Sequence, residues 1–441
     1  MTNASRLALF PKRTGIHFQG GQDRLSIGGC DLKTLAEDYG TPLYLYDAAT
    51  LDNRIGKYRQ ALSEYYPGIA GLVYAGKAFL CLALAQWIGK SGLWLDCSSA
   101  GELHIAKAAG VPKSRLLLHG VNKSHSDISL GLRWAGVLAV DNLTELGRIE
   151  ELSELSGESI PDLWLRYRPG ITAESHSHIL TGHEESKFGM DEAEIEQAAQ
   201  ICRTRELPLK GLHFHIGSQL RDTGPIIQSI AKTLRLAERI EFGGDWALSV
   251  GGGLGVGSHE DELPNPSIIE YVRSAAKAIE NGCRERGLEP PSLFIEPGRS
   301  LIARAGVAVY RVGAVKRTPS RRWVLLDGGM ADNPRFALYQ ARYSAMPVED
   351  TLRENVGPAW FGGPYCESGD VLIENLPFPD VKPGELVAVP MSGAYQLSMA
   401  SNYNGARRPA VLWLEDGTVH LMQDREKAND LLRRDRPLPL A

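Results

Sequence analysis

Eight short apolar runs, alternating with helical patterns, constrain this chain more than any other feature. They fall at 72–77, 93–97, 115–119, 137–141, 163–168, 211–216, 246–250 and 293–296. Each is a mainly apolar stretch of strand length, the pattern of a strand buried on both faces. Between most of them lie segments with apolar residues at helical spacing, such as AFLCLALAQWIGK, DEAEIEQAAQICRTR and SIIEYVRSAAKAIENGCRERG. An open doubly wound sheet and a closed (β/α)8 barrel of TIM type both alternate in this way. Eight repeats across roughly 230 residues favour the barrel, whose usual length is ~250.

After about residue 306 the rhythm stops. VAVYRVGAVKRTPSRRWVLLDGG, GDVLIENLPFPDVKPGELVAVP and RRPAVLWLEDGTVHLMQ read as strands separated by Pro, Gly and Asp turns. The expected architecture is therefore α/β, a barrel plus a C-terminal all-β domain, either a small barrel or a sandwich. The glycine-punctuated alternation IHFQGGQDRLSIGG near the N-terminus has no partner inside an α/β barrel, so it is expected to join the β-domain. The boundaries follow as 1–40 for the N-terminal segment, 41–305 for the barrel and 306–441 for the β-domain.

Composition excludes several classes of partner. A net charge of −5 and isolated arginine pairs give no basic stripe, so neither nucleic acid nor an anionic membrane surface is expected. No apolar run approaches the roughly 18 residues that span a bilayer. The start, MTNASRLALFPKRTG, lacks the pattern of a secretory signal. Six cysteines without CxxC spacing then fit reduced thiols and a cytoplasmic location.

In α/β barrels chemistry gathers at the carboxyl ends of the strands. Lys77 stands at the first such end, in LVYAGKAF. Taken alone it has two readings: a snorkelling lysine at a strand edge, or an amine placed to form a Schiff base with a carbonyl group. The other ends supply Asp96, Ser98 and Ser99, then His119 and Asn122, then His213, His215 and Ser218, then the run Gly251–Gly253 with Gly255, and finally Glu296, Gly298 and Arg299. A glycine run after the seventh strand lies where barrels commonly bind phosphate, because backbone N–H groups can approach the oxygens. Two histidines in HFH share one face of a strand. With His176, His178 and His183 they could be metal ligands, yet no carboxylate cluster at ligand spacing completes such a set, and no metal is expected. A core role for His213 and a ring stacked on a flat cofactor for His215 are the competing readings. Lysine, histidine, phosphate cradle and glutamate together suit pyridoxal 5'-phosphate, with the glutamate holding a proton on the ring nitrogen.

At this point the sequence resembles the barrel-type pyridoxal-phosphate decarboxylases, and within them the diaminopimelate decarboxylase family, from about residue 40 to residue 410. The motifs that carry the resemblance are YAGKAF, DCSSAGEL, LHGVNK, TGHEESKFGM, HFHIGSQ, GGGLG, EPGRS, DGGMADNPRFALYQA, GPYCESGD and SGAYQLSMASNYN, in that order. The resemblance implies a catalytic Schiff-base lysine at Lys77 and a catalytic His215 stacked on the pyridine ring. It implies phosphate binding by Ser218, Gly251, Gly252 and Gly253, with Gly298 and Arg299 beside Glu296, and a cofactor contact from Tyr395. Substrate contacts fall on Arg299, Arg335, Tyr339, Glu367 and Tyr395, and the proton donor on Cys366. It further implies a homodimer in which the CES segment enters the neighbouring subunit's site. The expected reaction is decarboxylation of meso-2,6-diaminopimelate to L-lysine. Another basic amino acid or a carboxylated polyamine as substrate, or a non-catalytic regulator, stand as alternatives. Gly76 and Phe336 depart from the family pattern, which commonly has a side chain and a proline there.

Overall fold

The computed structural model describes residues 3–171, 185–242 and 244–438. The chain divides into two compact units, one of Arg54–Val256 with Asn265–Leu301, the other of Met1–Asn53, Gly257–Pro264 and Ile302–Ala441.

The first unit is a closed barrel of eight parallel strands: Ala70–Ala75, Trp94–Cys97, Leu116–Leu118, Val137–Val140, Asp162–Arg166, Leu209–His213, Ala247–Ser249 and Ser292–Ile295. The eighth strand pairs back onto the first through Leu293↔Ala70, Phe294↔Gly71 and Ile295↔Leu72, which removes both sheet edges. Val73, Leu117, Val137, Ala139, Trp164, Ala247 and Phe294 fill part of the interior. The Phe294 ring meets Trp94 edge-on at 5.1 Å and Trp164 at 4.8 Å. Such aromatic contacts add about 0.5–1.5 kcal/mol beyond the area they bury.

Helices start where a polar side chain satisfies the first backbone donors. Ser99, Asn142, Asp191 and Ser267 each accept from an N–H three residues on, and each begins a helix that returns the chain to the next strand. The helix Gly224–Ile240 buries Ile226, Ile230, Leu234 and Ala237, a stripe at three- and four-residue spacing. Each buried Ile or Leu contributes roughly 1.5–3 kcal/mol. A buried Lys123 ties the loop after the third strand to the fourth, its Nζ donating to Gly120 O, Ala139 O and Glu145 Oε1 at 3.0, 2.7 and 2.7 Å.

The second unit holds a three-stranded sheet, Thr14–Gln19, Gln22–Ile27 and Cys30–Asp31, and a nine-stranded mixed sheet. The long strand Gly306–Arg317 is the branch point, pairing with Leu43–Asp47, Arg322–Leu326 and Leu386–Val389. Leu25 and Ile27 share one core with Leu43, Leu45, Val307, Val309, Met346 and Leu412. The expected all-β domain is present and takes in the N-terminal strands, its nine-stranded sheet branching at Gly306–Arg317.

The expected barrel start at residue 41 is corrected. Leu43–Asp47 runs antiparallel to Gly306–Arg317 and parallel to Ala410–Glu415, within the mixed sheet. The eight-stranded barrel is already closed and offers no edge to a ninth strand. Tyr44 and Tyr46 are buried, and their hydroxyls find partners in the β-unit, Tyr44 at Asp332 and Gln396 and Tyr46 at Gly393 O. The segment 257–264, inside the expected barrel span, likewise belongs to the second unit.

Candidate active site

The carboxyl ends of the barrel strands carry a cluster of polar side chains centred on Glu296. This residue follows the eighth strand and is buried, with Glu296 N bonded to Gly251 O at 2.8 Å. Its Oε1 accepts from Ser249 Oγ at 2.6 Å and lies 3.3 Å from His119 Nε2, while Oε2 lies 3.3 Å from His213 Nε2. Burial works to raise the Glu296 pKa, but the two imidazoles outweigh it and hold the carboxyl well below its ordinary value. Burial pushes His213 down to about 4, partly offset by Glu296, and lowers His119 in the same way. Asp96, at the second strand, goes the other way: burial, then the Glu296 charge, push it up to about 7. Two buried carboxyls in one pocket are therefore shifted in opposite directions, Glu296 down and Asp96 up.

Lys77 lies just past the first strand, which ends at Ala75, in a single 3-10 turn of Gly76–Ala78; the helix proper begins only at Leu82. Its side chain is exposed. The turn brings its ammonium close enough to act on Asp96, Glu102 and His215. Gly76 shows why a side chain is missing there, since a Cβ would sit 2.7 Å from Asp96 O.

The glycine run is pressed against the ends of the sixth and eighth strands. Gly251 has φ +64°, and a Cβ there would lie 2.6 Å from Phe214 O and 2.8 Å from His215 Nδ1. Gly252 faces Glu296 O and Gly253 faces Gly217 O, both too closely for any side chain. His215 Nδ1 accepts from Gly252 N at 3.3 Å, which seats the half-buried ring against the loop. Burial first, and then the Lys77 charge, lower the His215 pKa far below its ordinary value, so the ring is neutral at pH 7. Ser218 is half-buried on the 217–220 turn, whose Leu220 bonds Gly253 O and Gly255 N. Gly298 is buried and Arg299 half-buried, where the short helix Arg299–Ile302 begins.

In the β-unit, Arg335 opens the helix Arg335–Tyr339 and is buried. Its guanidinium carbon lies 4.9 Å from the centre of the Tyr339 ring and 5.6 Å from that of Tyr395. Its Nε has no hydrogen-bond partner among the described residues. Cys366 and Glu367 are exposed, on the loop between the strands Gly357–Gly362 and Val371–Phe378. Asp370 anchors that loop by accepting from Met330 N and Tyr365 N, and Asn404 does so by accepting from Cys366 N. The other five cysteines are buried.

Residues 49–303 match the family described as pyridoxal-dependent decarboxylase, pyridoxal binding domain. The diaminopimelate decarboxylase of Bacillus subtilis is 40% identical over 432 residues, covering 96% of this chain and 98% of that one. This chain belongs to the diaminopimelate decarboxylase family. Among solved structures, diaminopimelate decarboxylase from Helicobacter pylori complexed with L-lysine is 31% identical with a TM-score of 0.83, covering 91% of this chain and 98% of that one. A lysine/ornithine decarboxylase from Vibrio vulnificus, 22% identical with a TM-score of 0.74 over 87% of this chain and 97% of that one, shares the fold.

Diaminopimelate decarboxylases are pyridoxal-dependent enzymes, and the barrel residues fit that cofactor. The glycine run is a cradle with no room for side chains, suited to a phosphate held by backbone N–H groups. Glu296, its pKa held well below the ordinary value by His213 and His119, suits a protonated ring nitrogen, and the Lys77 amine is exposed within electrostatic reach of His215. Residue-by-residue reading of the sequence passed over three contributors. Ser249 ends the seventh strand between Glu296 and Gly251 N, Tyr271 donates from a buried helix to Gly252 O at 3.0 Å, and Arg166 pairs with Asp141 at 3.2 Å. Each lies inside an apolar pattern or far along the chain, so only the closed barrel reveals its neighbours. His119 and His213, seen in the sequence as strand-end residues, come together with Glu296. His176, His178 and His183 lie outside the described residues.

Proposed function

We propose that this chain decarboxylates meso-2,6-diaminopimelate to L-lysine and CO2 with bound pyridoxal 5'-phosphate. When bound, that cofactor would supply an electron-poor ring that takes up the electron pair left on the substrate carbon as CO2 departs. Lys77 holds it through its amine, His215 packs its ring against it, and Glu296 keeps a proton at the ring nitrogen. The backbone of Gly251, Gly252 and Gly253, with Ser218, Gly298 and Arg299, takes the phosphate end, and Tyr395 adds a contact. Cys366 returns the proton to the substrate carbon. Arg299, Arg335, Tyr339, Glu367 and Tyr395 bind the substrate.

The observation that carries the choice of substrate is Arg335. A buried guanidinium flanked by two tyrosine rings, with an Nε lacking a partner, favours a planar anionic ligand. Diaminopimelate has a second carboxylate to offer, whereas ornithine has none. Glu367 complements it as an acceptor for the distal ammonium. We read the working form as a homodimer, with the exposed Cys366–Glu367 loop completing the neighbour's site. A cytoplasmic location fits a chain in which no helix of the described residues is long and apolar enough to cross a membrane. The test is lysine and CO2 release by purified protein with pyridoxal phosphate, offered diaminopimelate, ornithine or lysine. Turnover of diaminopimelate alone is expected; turnover of ornithine in its place would refute the assignment.

A further inference from the structure

Glu296 is held by three side chains from three other barrel strands, and none of them has a part in the reading above. Ser249 Oγ, at the end of the seventh strand, donates to Oε1 at 2.6 Å and accepts from Gly251 N at 3.3 Å, so one hydroxyl joins the carboxylate to the glycine loop. His119, after the third strand, and His213, ending the sixth, approach the two carboxylate oxygens at 3.3 Å each. Their rings are 4.4 Å apart and both are buried. Neither His213 nitrogen has a hydrogen-bond partner among the described residues: Nε2 meets Glu296 Oε2 only as a 3.3 Å electrostatic contact, and Nδ1 is unpartnered as well. That is tolerable for an unprotonated ring nitrogen but costly for a stranded N–H, so the tautomer with hydrogen on Nε2, facing Glu296, is favoured. Asp96 and Arg166 also act on this pocket, and burial drives the two imidazoles neutral. Two neutral N–H donors and a hydroxyl stabilise a carboxylate without cancelling its charge, which an arginine in their place would do.

We propose that His119, His213 and Ser249 form a positioning set for Glu296, keeping its carboxylate charged and fixed in orientation for the cofactor, with Ser249 coupling it to the glycine loop. This rests on the cofactor assignment above and on no particular substrate. The test is a titration of the cofactor-free chain with pyridoxal phosphate, read by visible absorbance without substrate. His119→Leu and His213→Leu should each weaken binding about 10- to 100-fold, the worth of a hydrogen bond to a charged group. His213→Gln, which keeps an N–H donor near the Nε2 position, should recover most of the loss. In a Glu296→Gln background the same leucine substitutions should add less than about twofold, because their effect passes through the carboxylate. Equal losses in the two backgrounds, or no recovery with glutamine, would overturn the proposal. If the leucine variants fail to fold, Ser249→Ala, which removes a single oxygen, takes their place in the same two-background comparison. An unmodified chain that never develops a cofactor band would instead overturn the cofactor assignment.

Discussion

Replacing Gly251 by alanine tests whether the glycine loop is as tightly seated as its geometry requires. Gly251 has φ +64°, where an L-residue with a side chain costs about 1–2 kcal/mol. A Cβ would also lie 2.6 Å from Phe214 O, about 0.8 Å inside the 3.4 Å at which ordinary contact begins, and 2.8 Å from His215 Nδ1. The first clash is with backbone at a strand end, which has little freedom to yield, so overpacking adds about 1–3 kcal/mol. The loop must move away from His215, putting at risk the bonds from Glu296 N to Gly251 O and from Gly251 N to Ser249 Oγ. The expected total is a loss of roughly 2–5 kcal/mol, or a Tm lower by roughly 5–15 °C for a unit of this size. A displacement near 1 Å should also cost about 100-fold in turnover. Thermal unfolding of the cofactor-free chain, cofactor titration and steady-state kinetics measure the three effects separately. A variant within about 1 °C and twofold of the parent would refute the claim that backbone contacts fix this loop.

The remaining predictions concern the dimer, a buried ion pair and a buried acid. Lys77→Ala and Cys366→Ala chains, each inactive alone, should recover about one quarter of parental activity when mixed, since half the dimers are hybrids with one whole site; hybrids formed without recovery would count against shared sites. Lys123→Met strands the buried Glu145 and should cost about 3–5 kcal/mol in denaturant unfolding, most of it regained when Glu145→Leu is added; an undiminished loss in the double variant would disprove the pairing argument. Burial pushes Asp332 up from 3.8 to about 6 although the Tyr310 and Tyr44 hydroxyls donate to it at 2.6 and 3.0 Å. An acid with a higher pKa in the folded state favours folding when protonated. Its contribution is therefore full below about pH 4 and lost as pH rises through about 6, a swing of about 3 kcal/mol. Asp332→Asn should remove that swing from the stability profile between pH 4 and 7, and parallel curves for parent and variant would contradict it.

Much of this protein is legible in its sequence because a buried parallel strand has to be apolar along its length. The runs at 72–77, 93–97 and 137–141 announce themselves without a partner in view, and they lie in the barrel at those places. Polar residues that break such a run at its carboxyl end, His119, His213, Glu296, stand out for the same reason. The run LYLYD does not reveal which sheet it joins, because strand propensity is local and partner choice is not; barrel closure, which leaves no edge, decided that Leu43–Asp47 pairs with Gly306–Arg317.

Charge and contact across the barrel were a matter for tertiary structure alone. Asp96 and Glu296 are equivalent strand-end carboxyls on paper. Two histidines and a serine, from positions 47 to 177 residues away in the chain, surround Glu296 and lower its pKa, while burial raises that of Asp96. The sequence placed Lys77 at the end of the first strand, but only the structure shows that a single helical turn carries it into the open while the strand beneath stays buried. Residue type and spacing determined which groups this chain has for chemistry. Desolvation and hydrogen bonding, which depend on every neighbour in space, determined which of them carry charge.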